Sequence, residues 1–365
     1  MIRLFKPLLA PDVLAHVADA IQPDAEGRVW VGEGPTVKRF EAALGRAYGV
    51  PGWLATNSCT AAIYVALHSL GVGPGDEVVT SPVTCSLSNS PITMRGARPV
   101  WADVDPRTGL IDPLDVARKI SRRTKAVLAV DFAGRRCDYH MLRRAARGLP
   151  VIEDAAHLAP EPLGPNVGDW VAMSYQAIKF LTTCDGGALL PPADKAWKHD
   201  PRLIRWAGLD RDSTASFRSG QSIEEPGGKW HMTDVAAAFG LANLPLVPDA
   251  VEAHRRNARF YTETLSHLPH VAAPPWDPQS TWWLYVLLAE QPASLVAHLA
   301  ERGIEASPVH RRNDVHPGFD YYAGRLPGVD WYAPRQVAIP VHWALAPEER
   351  QRVADAVVEW ASTRG

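Results

Sequence analysis

Cysteine is scarce: Cys59, Cys85, Cys137 and Cys184 are the four in 365 residues, and none forms a CxxC pair. That scarcity excludes a disulfide framework and a structural zinc site, and it suits free thiols in a reducing cytoplasm. Charge of one sign is not in excess either. With 38 Lys and Arg against 40 Asp and Glu, the net charge of −2 gives no electrostatic reason to expect nucleic acid or an anionic membrane as partner. The basic pairs Arg122-Arg123 and Arg143-Arg144 read as solvated helix faces. Long uncharged apolar runs are missing, and the N-terminal stretch is broken by Arg3, Lys6 and Pro7 before a signal-like core develops. There is no internal repeat and no low-complexity tract. These absences predict a cytoplasmic protein without metal, nucleic acid or membrane partner, long enough for about two domains.

What is present is an alternation. Short apolar, β-branched runs at Glu77–Thr80, Pro99–Ala102, Ala126–Val130, Pro150–Glu153, Val171–Ser174 and Ala188–Leu190 are separated by helical patterns. One such pattern sets Ile63, Ala66, Leu67 and Leu70 on a single helix face. Strands separated by helices predict an α/β fold with a mostly parallel, helix-covered sheet, in which ligands bind beyond the carboxyl ends of the strands. A Pro-rich boundary at Asn243–Pro248 leads into a long polar helix, about 249–268. A strand at Trp282–Leu287, a helix over about 293–302 and a last helix from Pro347 follow. The expected division is a large unit over 1–245 and a smaller α/β unit over 246–365.

At the expected strand ends the sequence gathers particular chemistry. Lys179 follows Ser174-Tyr175-Gln176-Ala177-Ile178, precedes Gly186-Gly187, and lies downstream of a strand ending in Glu153-Asp154-Ala155-Ala156-His157. An amine able to shed its proton and a carboxylate able to keep a ring nitrogen protonated are what pyridoxal phosphate chemistry requires. Lys179 and Asp154 are the candidate pair. The run Thr56-Asn57-Ser58-Cys59-Thr60 enters the first apolar helix, where backbone amides at a helix N-terminus suit a phosphate. Ser174 offers a second hydroxyl to that phosphate. Ala156 shares a face with Asp154 and gives a flat floor for the ring, and His157 is the candidate partner of the ring hydroxyl.

Asn57–Ala62, Glu153–His157, Ser174–Lys179, Gly186-Gly187 and Met232-Thr233-Asp234 together resemble the DegT/DnrJ/EryC1/StrS family of pyridoxal phosphate-dependent sugar aminotransferases. The resemblance runs collinearly from Trp30–Pro35, ahead of Phe40-Glu41, to Ile339–Trp343. It implies a fold type I aminotransferase and a homodimer with shared active sites. It also implies amino transfer from glutamate to a keto sugar on a nucleoside diphosphate. By position it makes Lys179 the residue that bonds to the cofactor and moves the proton, Asp154 the partner of the ring nitrogen, and His157 the neighbour of the ring hydroxyl. Cys59, Thr60 and Ser174 become the phosphate cradle.

Three positions depart from the family pattern. Ser58-Cys59-Thr60 replaces Ser-Gly-Thr, Cys85 stands where an aromatic ring usually stacks on the cofactor, and Lys229 stands where the neighbouring subunit's asparagine approaches the phosphate. For the sugar nucleotide, the densest polar cluster is His310, Arg311, Arg312, Asn313 and His316: arginines for a diphosphate, the others for hydroxyls. Arg205 and Arg211 are weaker candidates of the same kind. Most of the tryptophans read as core or subunit interface, and one is a candidate to stack on a nucleobase. A sugar dehydratase of the same fold is the enzymatic alternative, and Lys179 stands against it because the dehydratase branch carries histidine there. A cofactor-binding regulatory protein without turnover ranks last.

Overall fold

The computed structural model describes residues 1–213, 219–319 and 324–363. A seven-stranded sheet is built from β1 (Leu54–Thr56), β2 (Glu77–Thr80), β3 (Arg98–Trp101), β4 (Thr124–Val130), β5 (Val151–Asp154), β6 (Trp170–Ser174) and β7 (Gly187–Leu190). Their order is β1-β7-β6-β5-β4-β2-β3. Every pairing is parallel except those of β7, which runs antiparallel to both β6 and β1. These strands are nearly continuous apolar runs because helices cover both faces, and the six expected from the sequence all form within a residue or two of their predicted bounds.

The covering helices are α1 (Val13–Ala20), α2 (Pro35–Tyr48), α3 (Cys59–Ser69), α4 (Ser86–Met94), α5 (Pro113–Lys119), α6 (Tyr139–Ala146), α7 (Pro201–Arg205) and α8 (Asp234–Asn243). In α3 the Ser58 hydroxyl accepts the Ala61 N–H, and Ile63, Ala66 and Leu67 are buried against the sheet. The Met232-Thr233-Asp234 motif caps two helices. Thr233 accepts the Ala236 N–H of α8, while Asp234 reaches back to the Gly34 and Val37 amides at the start of α2. A side chain on Gly34 would collide with that carboxylate.

A 3-10 turn at Leu244–Leu246 joins α8 to α9 (Val247–Leu265). Beyond it lies a second, antiparallel sheet, β10-β9-β8, with β8 at Val271–Ala272, β9 at Tyr285–Ala289 and β10 at Gln336–Ile339. Against it pack α9, α10 (Pro292–Glu301) and α12 (Pro347–Ser362), and α11 (Pro327–Tyr332) lies before β10. Glu349 accepts the Ala346 N–H at the start of α12, next to Pro347. By length and hydropathy Asp234–Leu265 passes as a membrane span, but half of that apolar window is buried inside the protein.

One strand differs from expectation. Trp282, Trp283 and Leu284 are not in β9. Trp282 has φ of 53°, its N–H goes to Ser280 Oγ, and the Leu284 N–H goes to Ala133 O. The backbone over 280–284 is committed to the turn at Ala133-Gly134 and not to a strand partner.

Candidate active site

Four strand ends meet at one edge of the large sheet. β5 ends at Asp154 and β6 at Ser174, while β1 ends at Thr56 just before α3; β7, running the other way, begins there at Gly187. Gly187 pairs with both Ser174 and Thr56. A Cβ at Gly187 would sit 2.5 Å from the Cys59 nitrogen and 2.6 Å from the Met173 oxygen, so the turn entering α3 packs on the sheet only over glycine. The cavity at this edge, about 310 Å³, is lined by Ser58, Cys59, Thr60, Cys85, Ser88, Asp154, Ala156, His157, Ser174, Gln176, Lys179, Asp185, Trp283 and His310, among others. The structure thus brings together nine of the ten residues expected to hold the cofactor. Lys229 is the exception: it is exposed, and its carbonyl accepts the Asn57 side-chain amide behind the turn.

Asp154 is 1% exposed. Its Oδ1 accepts the Ala156 N–H at 3.1 Å and the Cys59 thiol at 3.5 Å. Burial raises its pKa, and the Lys179 amine opposes that rise. A buried acid of this kind calls for a cation beside it, and a protonated ring nitrogen supplies one. Burial likewise lowers the Lys179 amine to about 8, against the opposing pull of Asp154. Roughly a tenth of it is therefore free base at pH 7.

His157 is held in one tautomer. Its Nδ1 accepts the Ala133 N–H at 3.1 Å, and burial together with the Lys179 charge keeps the ring neutral, so Nε2 carries the hydrogen and acts as a donor. At the entry to α3 the amides of Cys59 and Thr60 have no helical acceptor and border the cavity. An amine, an acid, a neutral imidazole donor and a helix N-terminus around one cavity are the donor set that pyridoxal phosphate needs, and the residues fit the group.

The expected sugar-binding cluster divides. His310 lines the cavity, with its ring 6.4 Å from that of His157, and burial holds its pKa down at about 4. Arg312, however, is gripped by Asp314 through two bonds of 2.7 and 2.6 Å and pairs with Asp330 as well. Asn313 is buried, bonded to Asn89 and to the Thr84 carbonyl. Arg311 is exposed, and neither it nor His316 lines the cavity. Arg205 is also committed: it is buried between Glu33 and Glu41 at 2.6 Å each. Arg312, Asn313 and Arg205 are thus bonded within the protein and not turned to the cavity.

The sequence reading passed over Ser88, Gln176, Asp185 and above all Trp283, whose ring lies under the Lys179 amine. Polar residues in turns carried no distinguishing pattern, and a tryptophan in an apolar run reads as core. A larger concavity of about 820 Å³ beside Asp103, Asp112 and Asp138 carries no comparable set. Three of its acids are occupied as helix caps, Asp103 on Gly328 and Val329, Asp112 on Leu114 and Asp138 on Met141, and Asp105 is bonded to Arg107.

Comparison with known proteins agrees with this geometry. Over 96% of its length the chain is 31% identical to the spore coat polysaccharide biosynthesis protein SpsC of Bacillus subtilis, covering 95% of that protein. Among solved structures it is similar to AtS13 from Actinomadura melliaura, at 35% identity and a TM-score of 0.90, with 98% of each chain covered. It is also similar to the sugar aminotransferase CalS13 from Micromonospora echinospora, at 33% identity and 0.88, covering 98% of this chain and all of that one. The DegT/DnrJ/EryC1/StrS aminotransferase profile matches residues 16–358. The chain is a member of that family: a fold type I, pyridoxal phosphate-dependent aminotransferase.

Proposed function

We propose that this enzyme moves an amino group from glutamate to a keto sugar carried on a nucleoside diphosphate. The observation that carries the reading is the placing of Lys179 and Asp154 across one cavity from the entry to α3. Bound there, pyridoxal phosphate supplies an electron sink for the carbon that loses or gains the amine. Lys179 would hold the cofactor covalently, and its free amine would move the proton at the donor's α-carbon. An amine with a pKa near 8 serves both roles near neutrality. Asp154 holds the proton on the ring nitrogen, and His157 donates from Nε2 to the ring hydroxyl. Ser58, Thr60 and Ser174, with the Cys59 and Thr60 amides, hold the phosphate. Cys85 and Ala156 bound the ring, and His310 is the remaining candidate of its cluster for contact with the sugar. The relatives described as a sugar aminotransferase and a polysaccharide biosynthesis protein support a sugar acceptor.

The test is spectroscopic and chemical. Glutamate alone should bleach the visible band of the loaded enzyme and release about one 2-oxoglutarate per site, and one member of a panel of keto sugar nucleotides should restore the band and yield an amino sugar. If glutamate, glutamine and other common amino acids all leave the band unchanged, the transfer reading is wrong. We further propose a homodimer in which Lys229 serves the partner's phosphate, since its side chain is exposed behind its own turn. Mixing Lys229→Ala with Lys179→Ala subunits should then restore roughly a quarter of wild-type activity. No recovery in verified mixed dimers would remove Lys229 from the site.

A further inference from the structure

The indole of Trp283 touches three parts of the lysine site at once. Its ring centre lies 3.5 Å from Lys179 Nζ. The ring stacks on the His157 imidazole, centroids 4.0 Å apart at 20°. Its Nε1–H donates to the carbonyl of Ile178, the residue before Lys179, at 3.0 Å. Trp283 is 5% exposed, and its ring forms part of the cavity wall.

Its own backbone is fixed with equal care. Gly134, at φ of 92°, admits the Thr281–Trp283 backbone so closely that a Cβ there would lie 2.7 Å from the Trp283 nitrogen. Thr281 Oγ1 bonds the carbonyls of Gly134 and His157. Behind the indole stands Phe5, 5.4 Å away, on an N-terminal strap whose residues bond to Gly303, Glu305 and Trp343 at one end and Asn243 at the other.

We propose that Trp283 is a positioning residue for Lys179, its indole face being the station the ammonium occupies whenever it is not bonded to the cofactor. The inference rests on the assignment of Lys179 as the cofactor-binding lysine. An ammonium over an indole face is attracted by the ring quadrupole, more strongly when water is excluded. The contact offsets part of the burial that drives the proton off, and the bond to Ile178 O fixes the loop from which the lysine extends. Other groups facing the amine are Asp154 on β5, Cys59 at the start of α3, Cys85 before α4, and the His157 and His310 rings. Near neutral pH both imidazoles are neutral and the Cys59 thiol keeps its proton.

The test measures capture of pyridoxal phosphate by the cofactor-free protein as a function of pH, fixing the product with borohydride and mapping it to Lys179. The midpoint of the rate profile reports the free amine. Tryptophans with one, two and three ring fluorines, placed at position 283 alone, weaken the ring's negative face while keeping its shape. The midpoint should then fall stepwise, by about one unit across the series, with capture at pH 7 rising about fivefold. Trp283→Leu should lower the midpoint as well, and Trp283→Phe, whose ring face is weaker and which lacks the bond to Ile178, should lie between. A purely structural role would change thermal stability and leave the midpoint in place. Fluorinated proteins that capture on Lys179 with the unsubstituted midpoint would overturn the inference and leave the site reading intact. Capture on another lysine in the unsubstituted protein would overturn both.

Discussion

Between Asp154 and Lys179 the chain sets a buried acid, a buried imidazole and a half-buried amine around one cavity, and among the described residues neither Asp154 nor Lys179 enters a salt bridge. Between Ser307 and His316 the residue types are just as polar, but Arg312 is shared by Asp314 and Asp330, and Asn313 ties the loop to Asn89. The first segment gives its acid and amine neutral partners but no ion pair, so that a charged ligand can complete them. The second uses its groups to shape itself. Density of polar side chains therefore does not mark a site. Buried groups left open on a shared cavity do.

The most severe way to probe that contrast is Lys179→Ala. Turnover should fall by at least about 10⁴-fold while the fold and phosphate-anchored cofactor binding persist. Borohydride should then leave no covalent adduct, and an adduct on another lysine would refute the assignment. Asp154→Asn should cost about 10²–10³-fold in kcat, since the amide cannot hold a proton on a ring nitrogen. Retention of full activity would mean that the acid is merely buried structure.

Arg312→Ala probes the other side of the contrast. It strands the nearly buried Asp314 carboxylate and should destabilise the protein by about 1–3 kcal/mol, read by thermal denaturation, with kcat/KM for the sugar substrate within about threefold. A tenfold rise in KM with unchanged stability would return Arg312 to the substrate site.

The smallest effect concerns His310, the loop's one contribution to the cavity. Its folded pKa of about 4 lies below the unfolded value of about 6.5, so the native state binds fewer protons in that interval. Its contribution is fully present above pH 6.5 and is lost as pH falls toward 4, on the order of 2 kcal/mol in the cofactor-free protein. His310→Leu should flatten that part of the stability profile. An unchanged slope would show that the ring is not buried against Lys179 in solution.

The sheet was legible because β-branched runs between helical stripes have few alternative arrangements, and Gly186-Gly187, Asp154 and Lys179 were legible because the chemistry admits few residue types. The sugar cluster was not, since sequence spacing does not reveal that Asp314 and Asp330 neutralise Arg312. Trp283 was hidden for the opposite reason: its role depends on which ring faces which amine, and the Ala133-Gly134 turn that fixes this lies far away in sequence. The strand expected at Trp282–Leu287 begins three residues late, at Tyr285, on the same contact, because the pattern is apolar from Trp282 while the backbone bonds of 281–284 go elsewhere.

The N-terminal strap bears on the order in which the site matures during synthesis. Ile2 exchanges backbone bonds with Gly303 and Glu305, and the carbonyl of Lys6 accepts from Trp343. Residues 2–6 thus meet these partners only once the chain has been made as far as residue 343. Until then Phe5 has no fixed place behind the indole, and a nascent chain that already contains Lys179 lacks the backing for it. The backing of the indole thus depends on contacts between residues about 300 apart along the chain, which are among the slowest kind to close.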